Sequence, residues 1–468
     1  GYVALGKVRE SWVAPLELIF RGRKMHDPAI GKILSEDPTI QDERDLAATA
    51  QMVFENILIE VFDEYISMFP SVGGIVVAGG CALNVLSNRK LQKRFQVPLH
   101  VSPSPNDGGL SLGAAQLVTP PLRTLETRTE DGRILHSLPN VPVVYGGPDL
   151  FDIQDVPKYV EKAGGDGARK VTVDELAELL NEGKIIALVR GRSEFGPRAL
   201  GHRSLIAVPH LDNMKKRLNR LKYREWWRPV APMVTTEEAR RLFVGPSLWS
   251  PYMTFAAEIK EEFRKSLPAI VHFDGTARLQ TVERKKNEWL WRLLEAVKKK
   301  TGKGVLCNTS FNTRGKPILN RMREAMKMLF ELPDLNYVLV GDVLFSKLGA
   351  ERTQSLWRRH QSVSIVYPRE ASVVDLGKRL RVVVQTDQEE LNALNAPLHP
   401  PRSFVCVQGR NLWNNTHMNV AKMCQRARPA GSPSEYLFET NIEANLLYLE
   451  ASIITEKAED TESPKNTA

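Results

Sequence analysis

Cysteine is scarce in this 468-residue chain. Cys81, Cys307, Cys406 and Cys424 are too few and too scattered for a disulfide framework or a zinc site. The scarcity points to a reducing, cytoplasmic compartment. Long apolar runs are missing as well. No stretch reaches the roughly 18 residues of a membrane span. The opening GYVALGKVRESWV has no charged-then-apolar signal pattern, and it lacks a starting Met, which predicts a piece of a longer protein. No internal repeat recurs. Periodicity fades over 119–148, where Pro120, Pro121, Pro139, Pro142 and Pro148 fall, so a linker is expected there. Residues 351–468 carry no motif and end in the polar TEKAEDTESPKNTA, an unassigned extension with an expected disordered end.

What is present is ordinary in bulk. Hydrophobic residues make up 42% and charged residues 25%, values typical of a globular protein. The length suggests roughly two to four domains. With 64 Lys and Arg against 55 Asp and Glu, the net charge of +9 suits anionic small molecules or weak nucleic-acid contact without deciding between them.

Helix and strand signals alternate. Met52, Val53, Ile57, Val61, Tyr65 and Ile66 recur at helical spacing over 44–70, and Pro70 closes the run. GIVVAGG at 74–80 reads as a strand, followed by a helix over 82–95 and a second strand, PLHVSPS. Both strands run into glycine-containing turns, as where a ligand approaches the backbone closely. Residues 149–350 read as a second α/β region. It has a helix over VDELAELLNEG, a strand KIIALVRG, a basic helix over 213–222 and a helix near KNEWLWRLLEAVKKKTG. The strand KGVLCNTSFN, a helix over MREAMKMLFEL and a single strand NYVLVGDVLF complete it.

Several segments carry candidate chemistry. GRSEFGPRALGHRS sets Arg192, Arg198 and Arg203 around a Gly-Pro turn, where they need an anion or a set of carboxylates. In KKRLNRLKYREWWRPVAP seven cations, Lys215, Lys216, Arg217, Arg220, Lys222, Arg224 and Arg228, face one acid, Glu225. Met214, Leu218 and Leu221 give that helix a buried edge, and a solvated face explains most of its charges. Arg228 differs, since it precedes Pro229 beside two tryptophans and an apolar run, and a guanidinium there calls for a fixed anion. LCNTSFN presents Asn308, Ser310 and Asn312 at period two, either a neutral hydrogen-bonding face or the polar side of an edge strand. HFDGTARLQTV gathers His272, Asp274 and Arg278 about a glycine turn, and such a lone histidine is more often structural than catalytic. VVAGGCALN exposes backbone N–H groups to a phosphate or nucleoside, and SPNDGG offers Asp107 in a turn. Cys81 and Cys307 read as packed thiols.

These blocks, in order over about 44–345, resemble the NodU/CmcH-type carbamoyltransferases, which include antibiotic O-carbamoyltransferases. EFGPRALGHRS and NTSFN are the most specific of them. The resemblance implies an α/β protein. Part of an actin/Hsp70-type, Kae1-like domain (1–118) is followed by the linker 119–148, a YrdC-like domain (149–350) and the extension 351–468. It implies a carbamoyltransferase that forms carbamoyl-adenylate from carbamoyl phosphate and ATP and passes the carbamoyl group to a hydroxyl. Arg198, Lys222, Arg228 and Arg278 match the family's catalytic basic groups around the carbamoyl and adenylate phosphates. Ser310 and Asn312 match its substrate-binding S-x-N element. Gly79, Gly80 and Asn84 match its nucleotide-binding turn, and Asp107 its metal-binding aspartate.

The implied cofactors are ATP and Mg²⁺, with Fe²⁺ or another divalent metal in the Kae1-like domain. Small molecules are the expected partners, namely ATP, carbamoyl phosphate and a hydroxyl acceptor. A membrane is excluded, nucleic acid is disfavoured, and a homo-oligomer is left open. Arg192 and Arg203 are expected to form salt bridges. The family's first domain opens with a half that carries a phosphate loop and metal-binding histidines. Only His26 lies upstream of residue 44 here, so the expectation is that this half is missing and transfer impaired. After NTRGKPIL the chain reads NRMREA, where the family often has a Thr/Ser-Pro helix start. Two other classes compete: an RNA-binding protein using Trp226 and Trp227 as a stacking surface, and a catalytically dead scaffold.

Overall fold

The computed structural model describes residues 2–22, 39–118 and 143–357, with short strands at 125–128, 134–137, 403–405, 439–441 and 448–451. His26 and most of the expected linker and extension lie outside the described residues. The chain divides into two compact units, Gly1–Trp357 and Arg358–Ala468.

In the first unit, helices α1 (Glu10–Arg21) and α2 (Ile40–Ser67) precede a small βαβ element: β1 (Ile75–Val77), α3 (Val85–Phe95) and β2 (Leu99–Val101). α2 starts four residues before the expected position because Thr39 and Asp42 form a capping box, Thr39 Oγ1 accepting from the Asp42 N–H at 3.1 Å. β1 and β2 pair in parallel, Ile75 opposite Leu99. β1 is much shorter than 74–80 because Gly79 turns to φ 93°, outside the strand region. Helix α4 (Leu110–Val118) and an antiparallel hairpin, β3 (Leu125–Arg128) and β4 (Ile134–Ser137), follow.

The larger part is a mixed α/β layer. Its strands are β5 (Ala168–Lys170), β6 (Ile186–Val189), β7 (Arg203–Ala207), β8 (Ala231–Thr235), β9 (Phe243–Val244), β10 (Phe255–Ile259), β11 (Thr276–Val282), β12 (Val305–Ser310), β13 (Tyr337–Val340) and β14 (Val343–Phe345). They form one sheet in the order β5-β14-β13-β6-β7-β12-β8-β11-β10-β9. Only β13–β6 and β8–β11 are parallel. The expected single strand NYVLVGDVLF is a hairpin, because Gly341 at φ 58° and Asp342 make a two-residue turn that pairs Val340 with Val343.

Helices α5 (Val156–Ala163), α6 (Val173–Asn181), α7 (Met214–Leu221), α8 (Thr236–Leu242), α9 (Glu261–Arg264), α10 (Glu288–Thr301) and α11 (Met322–Glu331) surround the sheet. α6 opens on a Thr172–Glu175 capping box. α10 opens on Asn287, whose Oδ1 accepts from the Leu290 N–H at 3.0 Å, and closes on Gly302 after three lysines that suit its carbonyl end. Strands β6, β7 and β8 are buried along their whole length, so the central sheet is covered on both faces. A separate small core of Ile75, Ala82, Leu91, Leu99 and Val101 includes Phe255 of β10, which seats the βαβ element on the sheet edge. Asn88 reinforces that seat by donating to the carbonyls of Ala82 (2.7 Å) and Thr254 (2.8 Å). Among the described residues no helix is long and apolar enough to cross a membrane. In the second unit, β15 (Ser403–Val405), β16 (Glu439–Asn441) and β17 (Tyr448–Ala451) form an antiparallel sheet in the order β15-β17-β16.

Candidate functional site

The site grows from the middle of the large sheet. β12 lies between β7 and β8, so NTSFN is no edge strand. Gln280 of β11 is level with Met233 of β8, which is level with Leu306 of β12. Two residues along, Arg278 and Asn308 share that face, followed by Ser310. The amide of Asn308 donates to Gln280 Oε1 at 2.7 Å and to the Ala199 carbonyl at 3.1 Å. Asn308 is therefore buried and structural, while Ser310 and Asn312 stand at the strand's end.

Lys222 holds that end. It caps α7, and its Nζ donates to Ser310 Oγ at 3.0 Å, Asn312 Oδ1 at 2.6 Å, the Asn312 carbonyl at 2.9 Å and the Ser310 carbonyl. Four oxygens share three ammonium protons. Ser310 Oγ in turn donates to Asn312 Oδ1 at 2.7 Å. Burial, with Arg224 adding to it, pushes the Lys222 amine down to about 7. Lys222, Ser310 and Asn312 are thus one unit, and the lysine spends its protons on the protein turn.

The loop carrying Arg198 is braced from beneath by Glu194, which the sequence reading passed over. Its buried carboxylate accepts from the backbone N–H groups of Leu200 (2.7 Å), His202 (2.7 Å) and Arg203 (3.1 Å). Gln280 and Tyr145 donate to the Leu200 carbonyl at 2.8 and 3.2 Å. His202 stacks on Tyr145 with ring centroids 3.6 Å apart. An acid placed between Ser193 and Phe195, amid three arginines, is the signal that could have revealed this role. Arg192 and Arg203 correct the expectation of salt bridges, because backbone oxygens lie within their reach instead. Arg192 donates to the carbonyls of Gly147 (2.7 Å) and Gly146 (2.8 Å), and the fully buried Arg203 to those of Arg190 (3.2 Å) and His202 (3.1 Å).

Arg198, Arg278 and Arg224 make a cationic cluster. Among the described residues none of the three forms an ion pair, and the Nε atoms of Arg198 and Arg278 are buried without a hydrogen-bond partner. Burial pushes all three guanidiniums down, Arg278 to about 9 with Arg198 and Arg224 adding repulsion, and Arg224 to about 10. Arg278 thus sits in the field of both Arg198 and Arg224. Arg224 is the addition to the sequence reading, where it was one cation in a basic run. Its Nε donates to Asn219 Oδ1 at 2.6 Å.

Arg228 is a correction to the apolar environment expected for it. Its side chain is 47% exposed and pairs with Glu225 at 2.5 Å, since the chain turns outward before Pro229. His272 bonds through Nδ1 to Thr276 Oγ1 at 3.3 Å, and Thr276 donates to Asp274 Oδ1 at 2.7 Å. Burial holds that imidazole down to about 3, hence neutral.

The glycine turns of the βαβ element lie beyond the C-terminal ends of β1 and β2, where open parallel sheets bind ligands. Gly79 donates to the Pro105 carbonyl at 2.7 Å, joining the two turns, and a Cβ on Gly79 or Gly80 would meet nothing within 4 Å. Asn84 uses its side chain locally, accepting from Leu86 N–H (3.2 Å) and Ser87 N–H (3.3 Å) as the cap of α3. Asp107 is exposed, and among the described residues no three His, Cys, Asp or Glu side chains gather as a metal site. Cys81 is exposed rather than packed, because the Gly79–Gly80 turn carries it outward, whereas Cys307 is buried. The turns and the arginine loop touch: a Cβ on Gly196 would lie 2.4 Å from the Pro103 carbonyl. A cavity of about 840 Å³ lined by Gln92, His100 and Trp249 contains none of these site residues.

Two family models match the chain, one described as carbamoyltransferase N-terminus over residues 22–116 and one as carbamoyltransferase C-terminus over 177–347. The chain belongs to the carbamoyltransferase family. The second model spans Arg198, Lys222, Arg224, Arg278, Ser310 and Asn312, and the first spans the glycine turns. Nodulation protein NolNO of Sinorhizobium fredii is 36% identical over 321 residues, 67% of this chain and 45% of that protein. Nodulation protein NolO of Bradyrhizobium diazoefficiens is 34% identical over 344 residues, 70% of this chain and 61% of that protein. The carbamoyltransferase chain thus spans about half the length of the curated relatives it matches. Among solved structures, full-length HypF in its phosphate- and nucleotide-bound form aligns with 20% identity over 38% of this chain and 22% of that one, at a TM-score of 0.26, too slight a likeness to carry an argument.

Proposed function

We propose that residues 149–350 act as a YrdC-like domain that makes carbamoyl-adenylate from carbamoyl phosphate and ATP, and that residues 1–118 belong to a Kae1-like domain that hands the carbamoyl group to a hydroxyl of a small acceptor. One observation carries the reading: three guanidiniums without ion pairs among the described residues, beside a neutral Ser310–Asn312 turn held by Lys222. Such a cluster needs an anion to be stable, and a polyphosphate meets that need. The neutral turn suits the amide-like carbamoyl group.

The steps balance. Carbamoyl phosphate and water give carbamate and inorganic phosphate. A carbamate oxygen then attacks the α-phosphorus of ATP, and the bond to the β,γ-pyrophosphate breaks. Charge grows on the α-phosphoryl oxygens and on the departing pyrophosphate. Arg198, Arg224 and Arg278 are fixed in advance to stabilise it, the kind of contribution that dominates phosphoryl transfer. Exclusion of water protects the labile carbamate. An acceptor hydroxyl attacking the carbamoyl carbon releases AMP. Mg²⁺ would accompany the polyphosphate. A divalent metal on Asp107 does not fit the described residues, which supply it no co-ligands, and no step here uses one. Arg228, at the rim, remains a candidate for steering the anion inward.

Thermal unfolding with and without Mg-ATP tests whether the site binds nucleotide. A ligand held only by the folded state raises the midpoint, by about 2.7 kcal/mol of added stability at a hundred times Kd. An unchanged midpoint at millimolar Mg-ATP favours the dead scaffold.

A further inference from the structure

Beside the loop that carries Arg198, two arms deliver the rest of the cationic cluster, and each carries an exposed aromatic ring. Residues 222–228 supply Lys222 and Arg224, and between Arg224 and Arg228 they present Trp226, which is 59% exposed. Residues 272–278 supply His272 and Arg278, and between them present Phe273, which is 47% exposed. The rings meet edge to face, with centroids 5.7 Å apart at 84°. The Lys215 ammonium lies 4.9 Å from the Phe273 ring centroid.

The first arm is rigid. Asn219, buried at 1% exposure, donates to the carbonyls of Trp226 (3.0 Å) and Arg228 (3.1 Å) while its Oδ1 takes the Arg224 Nε–H at 2.6 Å. One side chain therefore sets both the anion-binding guanidinium and the tryptophan beside it. Tyr223 stands in the left-handed region at φ 50°, a strained conformation for a bulky residue. It lets Lys222 and Arg224 both turn inward while Tyr223 itself stays 61% exposed. Strain of this kind, kept next to an anion site, fits a surface shaped for a ligand.

An exposed aromatic pair costs hydration and serves no core. Joined to unpaired guanidiniums, it matches a ligand with a phosphate chain at one end and a flat ring at the other. We propose that Trp226 and Phe273 form the shelf on which the base of the nucleotide stacks while its phosphates lie on Arg198, Arg224 and Arg278. The proposal rests on the adenylate reading above and adds to it the residues that select a nucleotide over a bare polyphosphate.

The test measures binding of two probes to the full chain by calorimetry: Mg-ATP, and tripolyphosphate with Mg²⁺, which has the charge but no base. Trp226→Ala is expected to weaken Mg-ATP by roughly five- to a hundredfold, the usual loss for one base–aromatic stack, and to leave tripolyphosphate unchanged. Trp226→Phe should restore most of the ATP affinity. Arg278→Ala should weaken both probes. Trp226 is exposed, so the unfolding midpoint of Trp226→Ala should match the parent and rule out a folding defect. Equal loss of both probes in Trp226→Ala, or no loss of either, overturns the shelf and leaves the anion site standing. Failure of the parent chain to bind either probe defeats the adenylate reading itself. Tighter binding of a short oligoadenylate than of ATP would assign the rings to a polynucleotide and overturn the proposal.

Discussion

Lys222 is the residue whose chemistry depends most on pH. Its ordinary value is near 10.4, and burial lowers it to about 7. The sign follows directly. Between pH 7 and 10 the unfolded chain holds a proton that the folded chain has lost, so this group makes stability rise with pH across that window. Ligand binding runs the other way. An anion beside Lys222 favours the ammonium and raises its value. Affinity for Mg-ATP or pyrophosphate is therefore expected to be highest below pH 7 and to fall as pH climbs through it. At pH 8 binding should take up as much as one proton. Calorimetry in two buffers of different ionisation enthalpy measures that uptake, and a value of zero would contradict the placement of the anion near Lys222.

Among the elements, the loop from Gly191 to Ser204 is braced by the buried Glu194 carboxylate. Glu194→Ala leaves three backbone N–H groups without their acceptor. At ~1–3 kcal/mol for each buried unsatisfied group, the variant should lose at least ~2 kcal/mol in denaturant unfolding and most of its activity. Glu194→Gln keeps an acceptor oxygen and should recover part of both. Gly196→Ala is a second probe, because φ is 121° there and the new Cβ would lie 2.4 Å from the Pro103 carbonyl. It should destabilise the protein by several kcal/mol, given backbone strain plus a clash, and a soluble variant with an unchanged midpoint would contradict the close approach of the two loops.

These elements also mark how far the sequence could be read. KIIALVRG announces a strand by its apolar run, whereas LCNTSFN left an edge strand open, which the place of β12 between β7 and β8 rules out. The Ser310–Asn312 spacing and Arg198 were legible as polar residues at strand ends and turns. Arg224 was not, since the basic run gives no sign of which cation folds inward, and that depends on Asn219 and the backbone at Tyr223. Arg228 was misread because, although its guanidinium lies 5.5 Å from the Trp227 ring centroid, the side chain is 47% exposed and its anion is Glu225, three residues back. The split of NYVLVGDVLF into a hairpin was signalled by Gly341-Asp342, but in an apolar run the pattern alone does not distinguish a turn from a bulge.

At the scale of the whole molecule, the first unit carries its own core, from Leu150 through Trp357, and the small βαβ element is seated on it through Phe255 and Asn88. A chain ending at Trp357 is expected to unfold in one cooperative transition at the midpoint of the parent's transition. Scanning calorimetry checks this, and a midpoint lowered by more than a few degrees would contradict an independent core. The βαβ turns and the arginine loop meet at Pro103 and Gly196, so the segments matched by the two carbamoyltransferase models adjoin there. Pyrophosphate release reports the proposed formation of an adenylate at the guanidinium cluster. With Mg²⁺ and ATP, the chain should release pyrophosphate only when carbamoyl phosphate is added, and Arg278→Ala should cut the rate by about ten- to a hundredfold, as loss of a charge-assisted contact implies. Release that ignores carbamoyl phosphate, or that proceeds undiminished in Arg278→Ala, would contradict it.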